Sequence, residues 1–348
     1  MIERDRSSSE GPIRAAGERV VDSGPGGDDD ALRALLERGV AELHGSGATI
    51  AGIRRTPAAS ASSYAAEVIR VELTDGESLG FFLKDLGGTR VPKDHAETRR
   101  ERELFAYRDV LADSGLGTAR YFGSVWHPPR ERFWLLLELV TGTPVRERPF
   151  DAWLAAAAWL GRLQGFFVHQ RERARACELL VDYSPEFLWS RAELALHYAG
   201  GVTASVAESL AASVRRYERA VPALTAEPPT LVHGHYRPYN ILVDSTRQPK
   251  RVWPVDWERL GIGPPAYDFA YLAEGFDSER RDMLGEAYRA EARASGVSVP
   301  EADELRYMAN GFRVHRMLSL LASSAERGFT PAEVVKVVTL VGQLCESL

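Results

Sequence analysis

The sequence has few lysines, few cysteines and no long uncharged apolar run. Its two cysteines belong to no Cys-x-x-Cys motif and no Cys/His cluster, which argues against a disulfide framework and a structural zinc site. No stretch reaches the roughly 18 apolar residues that a membrane-spanning helix needs, so a membrane bundle is excluded. Because only four of the 43 basic residues are lysines, a lysine inside an apolar segment is a candidate for a specific role.

Length and charge narrow the class further. The chain has 348 residues, a hydrophobic fraction of 45% and a formal net charge of −6, which is typical of a soluble globular chain of two domains. The negative charge argues against a nucleic-acid-binding platform, whose affinity depends on neutralising phosphates. Residues 1–29 are rich in Ser, Gly, Asp and Glu and contain no apolar signal segment. We therefore predict a disordered N-terminal tail and a cytoplasmic protein.

Apolar spacing predicts a strand-rich first part and a helical second part, which is an α+β chain. The first part contains two helices and two pairs of strands: Asp30–Leu43, Tyr64–Leu73, Leu79–Leu83, Glu97–Leu111, Tyr121–Trp126 and Phe133–Val140. The second part contains helices on both sides of a small group of strands: Phe150–Val168, Pro185–Ala199, Val206–Val221, Thr230–Val232, Asn240–Val243, Arg251–Val255 and the helical region 266–348.

The segments LVHGHYRPYNILVD (231–244) and VWPVDWERLGIGPPAYDFAYL (252–272) carry the chemistry. Asn240 lies where a polar loop enters an apolar strand, and Asp256 lies where the returning strand ends. A hairpin of this length brings the amide oxygen and the carboxylate to one edge. Two hard oxygen donors suit Mg²⁺, which keeps its waters and takes further ligands from phosphates.

These segments resemble the aminoglycoside phosphotransferase and choline kinase family, which has a protein-kinase-like fold. Five residues match its motif at the right spacings: His233, Gly234, Asn240, Asp256 and Asp268. The resemblance implies a bilobal fold, with a small antiparallel-sheet N-lobe over 30–140 and a mainly helical C-lobe over 141–348. It also implies ATP or another nucleoside triphosphate bound between the lobes, Mg²⁺ on Asn240 and Asp256, and a catalytic loop braced by Asp268. His233 corresponds to a structural histidine of the loop.

The first part offers matching nucleotide contacts. Lys84 ends the apolar run LGFFLK, and it resembles the lysine that holds nucleotide phosphates in kinase-like folds. Glu103 resembles the acidic partner of that lysine, and Glu101 competes with it for this role. Alternatively, Lys84 is a solvated strand end. The strand Phe133–Val140 resembles the strand that joins the lobes, so the backbone at Glu138–Val140 is expected to bind adenine.

The phosphate-covering loop is the weaker match. The segment Thr56–Tyr64 contains no glycine, although glycine usually lets backbone N–H groups approach phosphates. Small side chains permit a similar approach, and the hydroxyls of Ser60, Ser62 and Ser63 are candidate phosphate donors. A flexible serine-rich turn explains the same residues equally well.

The main departure from the family is His235, which stands where the family has its catalytic Asp. In one hypothesis the neutral imidazole accepts the acceptor hydroxyl's proton, because positioning and charge neutralisation dominate phosphoryl transfer. In a second, the chain is a nucleotide-binding pseudokinase that serves as a scaffold or activator of a partner enzyme. In a third, a nucleotidyl group is transferred instead. Arg237 is either a solvated loop residue or a group that neutralises the transferring phosphoryl.

The resemblance implies an acceptor hydroxyl on a small molecule, either antibiotic-like or a metabolite, or on Ser/Thr of a biosynthetic peptide. A peptide acceptor would fit natural-product maturation with a partner enzyme such as a lyase, and an antibiotic acceptor would fit resistance. Polar and aromatic residues are candidates for the wall of the acceptor site: Asn310, Arg313, His315, Arg316, Phe187, Trp189 and Tyr198. In the alternative interpretation, the arginines lie on a solvated face and the aromatic residues belong to the core.

Overall fold

The structure is a computed structural model that describes residues 19–20, 28–58, 64–89, 95–112, 114–168, 177–324 and 327–348. The chain divides after Thr141 into two compact units. The segment predicted to be a disordered tail lies mostly outside the described residues, apart from a two-residue strand and the start of the first helix. None of the helices in the described ranges is both long and apolar enough to span a bilayer.

The first unit is an antiparallel sheet of six strands in the order β1-β2-β3-β4-β6-β5. Its strands are β1 (Arg19–Val20), β2 (Ile50–Pro57), β3 (Tyr64–Leu73), β4 (Ser78–Thr89), β5 (Tyr121–His127) and β6 (Arg132–Glu138). Helix α1 (Asp28–His44) places the apolar side chains Leu35 and Leu36 in one core with Ile69, Phe81 and Leu136. This core fixes β4, the strand that carries Lys84.

Strand β4 corrects one expectation. The predicted strand ends at Leu83, with Lys84 closing it, but the observed strand continues to Thr89. Lys84 therefore lies inside the sheet, opposite Ala66 of β3 and Leu135 of β6. The predicted helix 97–111 corresponds to α2 (Ala96–Phe105), which continues into a single π-helical turn over Ala106–Val110.

The second unit is mainly helical. Its helices are α3 (Phe150–Val168), α4 (Pro185–Gly200), α5 (Ala204–Leu224), α6 (Ala266–Leu272), α7 (Ser278–Ala294), α8 (Ala302–Ala322) and α9 (Pro331–Cys345). Six short strands accompany them: β7 (Thr143–Pro144), β8 (Val181–Asp182), β9 (Thr230–Val232), β10 (Ile241–Asp244), β11 (Arg251–Pro254) and β12 (Gly261–Gly263). They form two small sheets, β11-β10-β7 and β8-β12-β9. The predicted α+β class, with the sheet first and the helices after it, is confirmed.

The small strands position the loop that carries the sequence motif. Strands β10 and β11 form the predicted antiparallel hairpin, in which Ile241 pairs with Pro254 and Asp244 with Arg251. Strand β9 pairs with β12, so the chain reaches the loop from a second, separate sheet. Residues 233–240 are thus anchored at both ends by strands whose side chains are mostly buried.

Candidate functional site

Asp268, in the first turn of α6, holds the start of the loop. Its carboxylate accepts hydrogen bonds from the backbone N–H groups of His233 (2.5 Å) and Gly234 (3.0 Å). Complete burial raises the pKa of Asp268 to about 7, whereas the N–H groups of His233, Gly234 and Tyr236 act in the opposite direction. A buried carboxylate that accepts several backbone donors fixes the loop backbone rather than facing a reactant.

His233 is fully buried and structural in its contacts. Its Nδ1 accepts from the backbone N–H of His235 (3.3 Å), so the proton lies on Nε2, which donates to the Val255 carbonyl (3.1 Å). Burial lowers the pKa of His233 to about 4, so the ring is neutral near pH 7. The ring therefore ties the loop to the end of the β10–β11 hairpin.

Gly234 has no space for a side chain. Its φ is +74°, and a Cβ atom would lie 2.1 Å from Tyr183 Oη and 2.3 Å from the Arg259 carbonyl oxygen. Those two atoms are themselves joined, because the Tyr183 hydroxyl donates to that carbonyl at 2.8 Å. Glycine is thus required here both by the left-handed backbone and by the close approach.

Tyr236 fastens the middle of the loop to α3. Its side chain is completely buried, and its hydroxyl donates to the Ala156 carbonyl at 2.9 Å. Its ring stacks on Trp159 with 6.0 Å between centroids. Because both flanks of His235 are anchored in this way, the loop presents that side chain from a rigid backbone.

The tautomer of His235 follows from its contacts. Asn240 Nδ2, which only donates, lies 3.1 Å from the His235 carbonyl oxygen and 3.2 Å from its ring Nδ1. Nδ1 is therefore the unprotonated nitrogen, and the Nε2 proton is directed to the Tyr239 hydroxyl at 3.1 Å. Burial, reinforced by Arg237 and Arg259 and opposed by Asp256, lowers the pKa of His235 well below its usual value. The ring is neutral, and both its nitrogens are engaged.

Asn240 and Asp256, the predicted metal ligands, both approach one nitrogen of His235. The Val255 N–H donates to the Asn240 carbonyl at 2.9 Å, and Asp256 Oδ2 lies 4.0 Å from the same His235 nitrogen that Asn240 contacts. Since both Nδ2 hydrogens point at His235, the Asn240 Oδ1 is directed away from it. Asp256 has φ +69°, an uncommon value for a non-glycine residue. An amide oxygen and a carboxylate fit Mg²⁺ as a hard-oxygen pair.

Lys84 and Glu103 form a buried ion pair within the first unit. The Lys84 Nζ lies 2.6 and 2.8 Å from the two carboxylate oxygens of Glu103. Lys84 is 5% exposed and Glu103 is 1% exposed, whereas the competing Glu101 is exposed. Lys84 therefore pairs with Glu103, and it is not a solvated residue at the end of a strand.

The other predicted nucleotide contacts are less complete. The Glu138 N–H donates to the Arg120 carbonyl (2.8 Å), and its side chain accepts from the Arg120 N–H (3.2 Å). The N–H of Glu138 is therefore engaged, and an adenine contact through Glu138–Val140 stays a prediction. The serine loop with Ser60, Ser62 and Ser63 lies outside the described residues.

Two arginines of the second unit interact with Tyr271, whose ring centroid lies 6.5 Å from that of His235. Arg316 is not part of a solvated face, since its side chain is 13% exposed, contacts Glu274 and lies over the Tyr271 ring. Arg259 was assigned no role from the sequence, although it acts electrostatically on His235 and Tyr271. The sequence does contain a signal for each of these arginines. Arg316 lies within an apolar helix, and Arg259 follows a Trp-Glu pair at the end of a strand.

His315 has a different place from the one expected for an acceptor wall. It is buried on α8, where its ring contacts the Tyr217 hydroxyl (3.1 Å) and the Ser319 hydroxyl (3.2 Å). The contact with Tyr217 holds α8 against α5, whereas Ser319 lies on α8 itself. His315 is therefore a core residue, which was the alternative to a place in the acceptor wall.

The predicted family has independent support. A family model described as the phosphotransferase enzyme family matches residues 54–306, which is more than half of the chain. No curated protein sequence matches the chain.

Several solved kinase structures share the fold. The microcompartment-associated aminopropanol kinase is 19% identical, with a TM-score of 0.55 and coverage of 91% of this chain and 95% of that chain. The GDP complex of aminoglycoside 2'-phosphotransferase-IIIa is 14% identical, with a TM-score of 0.61 and coverage of 90% and 98%. Choline kinase from Cryptosporidium parvum is 13% identical, with a TM-score of 0.56 and coverage of 92% and 96%. The protein-kinase-like fold class is confirmed by these likenesses.

Proposed function

Since this chain belongs to the phosphotransferase enzyme family, we propose that it transfers the γ-phosphoryl group of ATP, with Mg²⁺, to a hydroxyl of a small molecule. The observation that carries the proposal is the meeting of Asn240 and Asp256 at one nitrogen of His235. This geometry supports a site in which the two oxygen ligands of the metal and the residue that faces the acceptor, His235, lie on one rigid loop and its hairpin.

Each unit, taken by itself, contains residues that suit this chemistry. The Lys84–Glu103 pair of the first unit would hold the nucleotide phosphates, because a buried ammonium that is already oriented by a carboxylate is a preorganised phosphate donor. In the second unit, Asn240 and Asp256 would hold the Mg²⁺, which when bound supplies charge neutralisation for the phosphates. Arg237, two residues after His235, would add a guanidinium to the transferring phosphoryl group.

His235 would face the acceptor hydroxyl. As the bond between the γ-phosphorus and the nucleoside diphosphate breaks and the bond to the acceptor oxygen forms, the hydroxyl proton passes to the unprotonated Nδ1. That step would replace the hydrogen bond that Asn240 Nδ2 donates to Nδ1 at 3.2 Å. A base with a lowered pKa is a weak one, so we expect slow chemistry.

Replacement of Asp256 and His235 tests this assignment. We expect Asp256→Ala to abolish nucleotide turnover and to remove the Mg²⁺ dependence of a nucleotide-induced rise in melting temperature. His235→Ala should keep that rise but lower turnover by about 10²–10⁴-fold. If the wild-type chain shows no nucleotide-dependent rise at all, the proposal is wrong.

A second candidate is a nucleotide-binding pseudokinase that activates a partner enzyme. It is favoured by one observation: both ring nitrogens of His235 are engaged, one by Asn240 and one by Tyr239. The two candidates differ in turnover, not in binding. A chain that binds nucleotide with Mg²⁺ but transfers no phosphoryl to any acceptor, and is unaffected by His235→Ala, would fit the second candidate.

A further inference from the structure

A histidine and two carboxylates that the proposed function does not use meet on the surface of the first unit. His44 is the last residue of α1, and Asp75 and Glu77 lie in the turn that joins β3 to β4. The His44 Nε2 lies 3.1 Å from Asp75 Oδ2 and 3.0 Å from Glu77 Oε2. One side-chain atom from each residue lies within 4.8 Å of the other two. The cluster joins two elements, although His44 and Asp75 are 31 residues apart in the sequence.

The His44 nitrogen has more acceptors around it than it can satisfy. A histidine Nε2 carries at most one hydrogen, whereas two carboxylate oxygens lie at hydrogen-bond distance from it. Two groups of like charge therefore share a single donor. A divalent cation at the same place would bind the imidazole nitrogen and both oxygens directly, and it would balance both negative charges.

The spacing of these atoms suits a divalent transition-metal ion. Two ligands that each lie about 2.1 Å from one ion are about 3.0–3.4 Å apart when the angle between them is about 90–109°. The two distances from His44 Nε2, 3.1 and 3.0 Å, agree with this range. A nitrogen ligand favours Zn²⁺ over Mg²⁺, because Mg²⁺ prefers oxygen ligands and keeps several waters.

The fold holds both sides of the cluster in place. Leu36 of α1 and Leu73 of β3 belong to one buried core, which fixes the helix beside the strand that leads into the turn. Asp75 Oδ1 accepts a hydrogen bond from the Glu77 N–H at 3.0 Å, and this contact orients the carboxylate so that Oδ2 is directed at His44. His44 also lies in the last turn of α1, where the partial negative charge of the helix end favours a cation.

We propose that His44, Asp75 and Glu77 bind one divalent transition-metal ion, of which Zn²⁺ is the test case, with water in its remaining positions. The ion would fasten the end of α1 to the β3–β4 turn and so stabilise the first unit. The site contains no cysteine, so it differs from the cysteine-based zinc site that the sequence argues against. The inference does not depend on the proposed function, because it shares no residue with the nucleotide, magnesium or acceptor contacts assigned above.

Metal titrations of the full chain without nucleotide test this site. We expect isothermal titration calorimetry to show one bound Zn²⁺. Free Zn²⁺ at 10–100 times the dissociation constant should raise the melting temperature by about 2–4 °C, because the ion binds the folded chain only. Mg²⁺ at the same concentration should give a smaller rise.

Variants separate this cluster from the other metal ligands of the chain. His44→Ala and Glu77→Gln should each lower the Zn²⁺ affinity by at least about 10-fold, which is the loss expected even for an outer-shell partner of a metal. His127→Ala is the matched control, since His127 is an exposed histidine at the end of β5 in the same unit. Asp256→Ala should keep the zinc binding. Each melting temperature is compared with that of the same variant without metal, because His44→Ala also removes an ion pair.

Four results would overturn the inference. The first is that the wild-type chain binds no Zn²⁺, and the second is an unchanged Zn²⁺ affinity in His44→Ala or Glu77→Gln. The third is an equal loss of affinity in His127→Ala. The fourth is loss of zinc binding in Asp256→Ala, which would assign the ion to the proposed magnesium pair. None of the first three bears on nucleotide binding or turnover, so the proposed function stands or fails separately.

Discussion

At the scale of single residues, the Lys84–Glu103 pair links stability to function. Both charges are removed from water, and their mutual attraction at 2.6 Å offsets the cost of desolvating them. The pair as a whole therefore adds little to stability. If one partner is removed, however, the other stays buried without the attraction that offsets the cost of its desolvation. The apolar run before Lys84 indicated a specific role for this lysine but not its position inside the sheet. The choice of Glu103 over Glu101 follows from which face of α2 is turned towards the sheet.

Removing one partner of this ion pair should lower the free energy of unfolding far more than replacing both partners by apolar residues. We expect Lys84→Ala to lower the free energy of unfolding by about 3–5 kcal/mol, because the Glu103 carboxylate stays buried without the ammonium. The double variant Lys84→Met with Glu103→Leu should recover most of that loss in urea unfolding, although both proteins should lack nucleotide turnover.

A second lysine provides the matched control for that prediction. Lys250 forms an ion pair with Asp151 at 2.7 Å, and the Asp151 side chain is 60% exposed. Lys250→Ala should therefore cost no more than about 1 kcal/mol. If Lys84→Ala cost as little as Lys250→Ala, burial would not be what makes the loss of one partner of the Lys84–Glu103 pair expensive.

At the scale of elements, β4 shows where sequence patterns stop being informative. The expected strand ended at Leu83, before a Gly-Gly pair that is normally typical of a turn. The strand instead continues to Thr89, which pairs with Tyr64 of β3. Gly87 serves a close approach within it, since a Cβ there would lie 2.1 Å from the Glu131 carbonyl oxygen. The contact is made with a loop more than 40 residues away, so nothing in the local sequence distinguishes this glycine from a turn glycine.

The loop 233–240 is an element whose first turn depends on a glycine. We expect Gly234→Ala to reduce both the free energy of unfolding and nucleotide turnover, since its Cβ would meet two anchored oxygens at 2.1 and 2.3 Å. Gly296 has a similar φ of +77° but open space around it, so Gly296→Ala should cost only the strain of the left-handed backbone, about 1–2 kcal/mol. Equal losses in urea unfolding of the two alanine variants would contradict the steric explanation.

At the scale of the whole molecule, sequence separation decides what could be predicted. The proposed metal pair could be predicted because Asn240 and Asp256 flank one short hairpin, whose pairing can be deduced from its length. The position of Arg316 over the Tyr271 ring could not be predicted, because it depends on how α8 packs beside α6, which no local pattern determines. The contact by which Asn240 fixes the tautomer of His235 was likewise hidden, since it depends on the exact path of the loop between them.

Two buried histidines make the stability of the molecule sensitive to acid. Burial lowers the pKa of His233 to about 4 and that of His315 to about 3, whereas an unfolded histidine titrates near about 6.5. As the pH falls from about 6.5 towards 4, the unfolded state binds the additional protons. Each histidine therefore contributes stability that is complete above pH ~6.5 and decreases by about 1.4 kcal/mol per pH unit below it.

His315→Gln isolates one of these protons. Glutamine retains polar atoms for Tyr217 and Ser319 but does not titrate, so unfolding free energies measured between pH ~6 and ~4 should fall less steeply, by about 1.4 kcal/mol per unit. Asp268 acts with the opposite sign, because its pKa is raised to about 7 from 3.8 and its folded form binds the extra proton. That contribution is common to both proteins and cancels in their difference. His197→Gln, at an exposed position on α4, should keep the wild-type slope, and an unchanged slope in His315→Gln would show that the buried ring is not what makes the fold acid-sensitive.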